Sequence, residues 1–183
     1  KINRQPRAGL EAILSYANVK HEERISDKLY FNRELTLSDL VFLIGPRINA
    51  AGRMESGRLS VELLKAKKMA DAVEVAAKIE EHNKDRKQKD KEITKQAFEQ
   101  LKNDKSQIGK QTTVVFNTDW HKGVIGIVAS RLVESYYKPT IVFTQNDGLI
   151  TGSARSVKDF DIYTIIESCS HLLTHFGGHK FAA

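Results

Sequence analysis

Residues 80–92, EEHNKDRKQKDKE, contain no apolar residue, no glycine and no proline. Strong helix formers fill most of the run. Apolar residues at helical spacing lie on both sides: Val61, Leu64, Met69, Val73, Ala76 and Ile79 before it, Ile93, Ala97, Phe98 and Leu101 after it. This pattern predicts one long helix that buries a stripe at each end and is wet in the middle. A helix polar all round bridges packed bodies, or is held by side-chain pairs four residues apart. The expectation is a strut between two lobes, with a solvated surface loop as the alternative.

A chain of 183 residues allows one large domain or two small ones. Its net charge of +6 leans towards an anionic partner without deciding for one. The single cysteine, Cys169, excludes an internal disulfide, and its apolar helical setting predicts a reduced core residue. No apolar run approaches the roughly 20 residues that span a bilayer, and no signal peptide is visible, which fits a cytosolic (cytoplasmic) compartment. The first residue is Lys1 and the pattern is interrupted at Ala183, as expected of a piece of a longer protein.

In the first lobe, residues 9–17 place Leu10, Ile13, Leu14 and Ala17 on one helical face. A second helix is expected after Leu37, with Ser38 as N-cap, Leu40 to Leu43 as its apolar content and Pro46 as its end. Residues 45–54, GPRINAAGRM, set Arg47, Asn49 and Arg53 among small residues. Arginines held there suit bidentate contacts to phosphate or carboxylate. The other reading is a tight loop whose arginines pair with Glu55 or Glu62. Residues 59–79 read as an amphipathic helix leading into the strut.

In the second lobe, residues 112–117 (TTVVFN) read as a strand, 121–137 as a mostly buried helix and 139–144 (PTIVFT) as a strand. Together they form a βαβ unit with a parallel pair. Gly123, Gly126 and Ala129 recur every third residue and mark a side of the helix where something packs closely. Asn146-Asp147-Gly148 is a turn joining residues 149–156 (LITGSARS) as an antiparallel partner. A last helix is expected over 160–173, with Phe160, Ile162, Ile165, Ile166, Leu172 and Leu173 in the core.

Ser153 and Arg155 are two apart on a strand and share a face, with Ser156 beside them. A hydroxyl and a guanidinium together make a phosphate receptor; the alternative is an exposed strand face. Gly177-Gly178-His179 is a backbone corner presenting an imidazole able to meet a phosphate or a leaving group, or simply a loop. His171 and His175 are four apart on an expected helix end, but no carboxylate or cysteine completes a metal site. No phosphate-binding P-loop, nucleophile elbow or dinucleotide fingerprint is present.

GPRINAAGRM, WHKGVIGIVASRL, GSARS and FGGH, in this order and spacing, resemble the RecJ-type exonucleases of the DHH phosphoesterase superfamily. The resemblance covers nearly the whole chain. It implies an α/β (α+β) architecture: a helical remnant of a DHH domain over 1–58, a connecting helix region over 59–110, and a truncated DHH-associated domain over 111–183. That last domain would be a small mixed sheet flanked by helices. The implied activity is 5′→3′ degradation of single-stranded DNA in repair and recombination, in a cleft whose width the strut sets. The implied cofactor is Mn2+ or Mg2+, with ligands in DHH motifs that this chain lacks, so the chain alone is expected to be inactive. Arg47, Asn49 and Arg53 match the motif beside the cleft, and Ser153, Arg155 and Ser156 match the phosphate grip. Gly177 and Gly178 match the glycine-histidine motif, with His179 its catalytic imidazole. His121 matches the histidine before the buried helix, and Lys122 stands where many relatives have proline. Expected partners are single-stranded DNA and other repair proteins, with no membrane and a monomeric state. A relative acting on short RNA or cyclic dinucleotides, or a non-catalytic nucleic-acid-binding module, are the other readings.

Overall fold

The structure, a computed structural model, describes residues 2–22, 30–107 and 109–183. It divides into two units, Lys1–Lys87 and Gln88–Ala183. The division falls inside the longest helix, which contributes its first part to one unit and its second part to the other.

In the first unit, α1 (Ala8–Ser15) buries Ile13 and Leu14. Helix α2 (Leu37–Asp39) is capped by Thr36, whose hydroxyl accepts from the Asp39 amide while Asp39 reaches back to the Thr36 amide. The cap therefore lies two residues before Ser38, where a reciprocal capping box is available. The chain does not stop at Pro46. It widens into a π-helical turn, Leu40–Ile44, and continues as α3 (Gly45–Met54) with the proline in its first turn. Proline lacks the N–H for an ordinary helical bond, and the wider turn removes the demand for it. GPRINAAGRM is thus a helix and not a loop.

The helix expected over 59–79 is broken. Helix α4 covers Arg58–Lys65, the chain turns at Ala66, and α5 begins at Met69. No proline or glycine marks the break. It lets Leu63 and Ala72 enter one core with Ile13, Leu14, Phe31, Ile44, Ala76 and Ile79. Val61, Leu64, Met69 and Val73 stay exposed, contrary to the expected stripe.

Helix α5 (Met69–Asn103) is continuous for 35 residues. Its middle is wet on the outer faces, as expected, but not on the inner one. The buried positions run Ala72, Ala76, Ile79, Glu80, Asn83, Asp90, Ile93 and Ala97, so the inward stripe passes through the polar run with its period kept. Glu80 accepts from Arg47 at 2.7 Å, and Asn83 lies against Glu80. Asp90 accepts two bonds from Arg131, at 2.9 and 2.8 Å. On the inner face polarity means paired burial; on the outer faces it means exposure.

The second unit contains a three-stranded sheet ordered β1-β2-β3 (Thr113–Phe116, Thr140–Asn146, Leu149–Arg155). β1 and β2 are parallel and joined through α6 (Lys122–Tyr136), while β2 and β3 are antiparallel. Asp147 and Gly148 both have positive φ, the geometry of a two-residue hairpin turn. Helix α6 packs on β2 and β3, and its Val124, Ile125, Val128 and Leu132 are buried with Val115 and Val142.

Helix α7 (Ile162–Ser168) ends five residues before the expected limit, Leu173, and a 3-10 turn, Ser170–Leu172, follows. Of its expected core residues only Ile162 is buried; Ile165, Leu172 and Leu173 are exposed. Cys169 is exposed as well, because the helix stops before it. Among the described residues no helix is long and apolar enough to cross a membrane.

Candidate nucleic-acid interface

The charged and polar residues singled out by sequence meet very different fates. Arg47 is buried, and its guanidinium is committed to its own unit. Nε donates to Glu80 at 2.7 Å, Nη1 to the Leu43 carbonyl at 2.6 Å and Nη2 to the Tyr16 carbonyl at 3.0 Å. Its partner is neither Glu55 nor Glu62; Glu55 contacts His82 and Glu62 contacts Arg58. Arg47 therefore ties α3 to α5 and to the end of α1. Asn49 and Arg53, four apart on α3, are exposed.

Ser153 and Arg155 come together as their strand spacing requires. Arg155 Nη1 donates to Ser153 Oγ at 3.2 Å and to the Ala154 carbonyl at 2.6 Å. Both side chains are half-buried, so this is not an open strand face. Their strand partners, Val142 opposite Ser153 and Thr140 opposite Arg155, are fully buried on the side where α6 packs. A Cβ on Gly126 of α6 would stand 2.9 Å from Ser153 Oγ and 3.0 Å from Arg155 Nη2. The glycine-bearing side of α6 thus carries the serine–arginine pair. Ser156 is turned elsewhere: its hydroxyl donates to the Phe160 carbonyl at 2.7 Å and closes the turn into α7.

The segment 177–183 folds back onto this edge. The Ala154 amide donates to Ala183 and the Ala183 amide returns a bond to Ala154; the Ser156 amide donates to Phe181. The Ile162 amide, in the first turn of α7, donates to the Lys180 carbonyl. Ala182 bridges both Arg155 and His179, so backbone pairing brings the His179 turn beside Arg155. Gly178 is required there: a Cβ would stand 2.3 Å from the Ala182 carbonyl oxygen. Gly177 has no such constraint. His179 is exposed, and its Nδ1 accepts from the Phe181 amide at 3.3 Å.

His121 stands at the N-terminus of the helix that carries Gly126. It caps α6, its Nδ1 accepting from the Gly123 amide at 3.1 Å, which leaves the ring proton on Nε2. It lines a hollow of about 300 Å³ with Lys89, Glu92, Gln96, Asn117, Asp119 and Trp120. Trp120 is buried, and its indole N–H donates to Gln96 at 2.7 Å. Sequence reasoning missed the Asp90–Arg131 pair. Its signal was Arg131, a charge in the middle of the largely apolar α6.

Metal chemistry finds no seat in these residues. Among the described residues no three His, Cys, Asp or Glu side chains gather as a metal ion requires. His171 and His175 do not share a helix, because α7 ends at Ser168.

Residues 109–183 match the DHHA1 domain. The single-stranded-DNA-specific exonuclease RecJ of Bacillus subtilis is 38% identical over 78% of this chain and 18% of its own length. The enzyme of the same name from Haemophilus influenzae is 34% identical over 98% of this chain and 31% of its own length. The chain thus spans less than a third of either relative. Among solved structures, RecJ from Thermus thermophilus in complex with Mg2+ superposes with a TM-score of 0.79 at 24% identity, over 99% of this chain and 26% of that one. Its complex with Mn2+ has the same TM-score, 0.79.

Proposed function

Because this chain belongs to the RecJ family, with residues 109–183 forming its DHHA1 domain, we propose that it is the part of a single-stranded-DNA 5′→3′ exonuclease that grips substrate phosphate. Ser153 and Arg155 are the grip, and the Gly177–His179 turn completes it from the adjoining edge. Asn49 and Arg53 offer further contacts from α3. Arg47 acts as a brace in this reading, and Ser156 as the link that holds the grip to α7. His121, which caps α6, is a further proposed contact.

The observation that carries the reading is the serine hydroxyl and arginine guanidinium held side by side at a glycine-lined seat, with the histidine turn paired to the same strand. A guanidinium gives phosphate two parallel N–H bonds, and a hydroxyl adds a third donor. Phosphate contacts position a strand without reading its sequence, as an exonuclease that must accept every base requires. The whole protein would use Mn2+ or Mg2+ held by residues other than these and act on DNA during repair and recombination in the cytoplasm. This chain alone would bind without cutting.

The test is titration of a labelled single-stranded oligonucleotide into the chain and its Arg155→Ala variant. Loss of one charge-assisted phosphate contact is expected to weaken binding about tenfold, with the melting curve almost unmoved. Equal affinity of the two proteins would remove Arg155 from the interface.

A further inference from the structure

We infer that Gly126 is a positioning residue: its missing side chain is the seat that holds the Arg155 guanidinium in its phosphate-gripping pose. The inference rests on the reading of Ser153 and Arg155 as that grip.

Gly126 lies in the second turn of a 15-residue helix, where glycine is less favourable than alanine because its backbone has more freedom to lose. Local preference argues for alanine, and the packing argues against it. An added Cβ would meet Ser153 Oγ at 2.9 Å, Arg155 Nη2 at 3.0 Å and Arg155 Cζ at 3.7 Å. All three atoms belong to the two grip side chains.

Something must give, and the strand backbone is the poorer candidate. On one side Ser153 and Arg155 pair with Val142 and Thr140. On the other, Ala154 exchanges bonds with Ala183 and Ser156 is bonded to Phe181. A strand paired on both edges resists displacement, whereas an arginine head is the far end of a flexible stem. The Cβ therefore turns the Ser153 hydroxyl aside and pushes the guanidinium off α6, which disturbs the bonds that hold it to Ser153 Oγ and the Ala154 carbonyl. The arginine keeps its charge and loses its place. The sheet keeps its pairing, and the helix gains a better helix former.

A glycine needed only for tight packing would show itself in stability. A glycine that acts through Arg155 shows itself in binding, and only while Arg155 is present. The experiment is a double-mutant cycle of the chain, Gly126→Ala, Arg155→Ala and the double variant. Each is measured for affinity to a single-stranded oligonucleotide across a salt series and for thermal melting. Gly126→Ala is expected to weaken binding about tenfold and to lower the salt slope by about one phosphate contact. The double variant is expected to bind no worse than Arg155→Ala alone. Wild-type affinity for Gly126→Ala beside a weakened Arg155→Ala would overturn the inference and leave the phosphate grip standing. So would two losses that multiply in the double variant. If Arg155→Ala itself binds like the wild type, the grip falls and the inference with it. Should Gly126→Ala lose its cooperative melt, recovery of the melt in the double variant supports the seat. Failure to recover assigns the glycine to packing and overturns it.

Discussion

Arg47 shows how a charged residue becomes framework instead of surface. Arg47 and Glu80 form a buried pair, each side chain only 10% exposed, with two carbonyls taking further guanidinium N–H groups. Removing one member strands the other charge in the interior, a loss of about 3–5 kcal/mol. Arg47→Ala should therefore lower the urea midpoint sharply, while the paired replacement Arg47→Met with Glu80→Leu should come close to wild-type stability. Tyr30 gives a test by pH. Its hydroxyl donates to Glu11 at 2.6 Å, and this bond, with some burial, pushes its pKa up to about 12 from 10.0. The folded state thus holds the phenolic proton more tightly than the unfolded chain. The stabilisation is complete below pH 10.0 and is lost as pH rises towards about 12. Tyr30→Phe should flatten that alkaline limb of stability against pH, read by melting at a series of alkaline pH values.

At the scale of elements, α5 illustrates a polar run that is solvated on its outer faces and buried on its inner one. The apolar stripe stops at Ile79 and resumes at Ile93, and between them Glu80, Asn83 and Asp90 keep the inward period. Such a face is tolerated because each buried charge has an arginine opposite it, Arg47 or Arg131. Asp90 sits beside Arg131, whose own pKa is raised by the bond. Arg131→Ala should cost about 1–3 kcal/mol by leaving the Asp90 carboxylate without that donor. The exposed Lys91→Ala on the same helix should stay within about 0.5 kcal/mol of wild type. Urea denaturation of both variants measures the contrast. The turn at 177–183 makes a similar point: Gly178→Ala would drive a methyl into the Ala182 carbonyl and should release the His179 edge from β3. Faster amide exchange at Ala154 and Ser156 would report that release.

For the molecule as a whole, the proposed grip of one guanidinium and a hydroxyl, in a chain of net charge +6, would make binding electrostatic and indifferent to sequence. Single-stranded oligonucleotides of different sequence should bind this chain with similar affinity. Raising salt should weaken all of them in parallel, with a shallow slope set by few phosphate contacts. An affinity that salt does not change would remove the electrostatic reading.

Much of the architecture was written in local pattern. The βαβ unit, the Asp147-Gly148 hairpin and the long helix follow from periodicity, β-branched runs and turn residues, because each depends on neighbours within a few positions. The same local evidence placed Ser153 and Arg155 on one face and marked a glycine side on α6. Burial was a different matter. Whether Glu80 and Asp90 face water, whether Cys169 enters the core, and where α4 breaks from α5 depend on partners far along the chain. Arg47 meets Glu80 at a separation of 33 residues, and Arg131 meets Asp90 at 41. Only the tertiary structure decided that Arg47 is consumed within its own unit while Arg155 lies half-buried beside the His179 turn. The physical reason is that a charged side chain is defined by what desolvates it and what pairs with it, and both arrive with the fold.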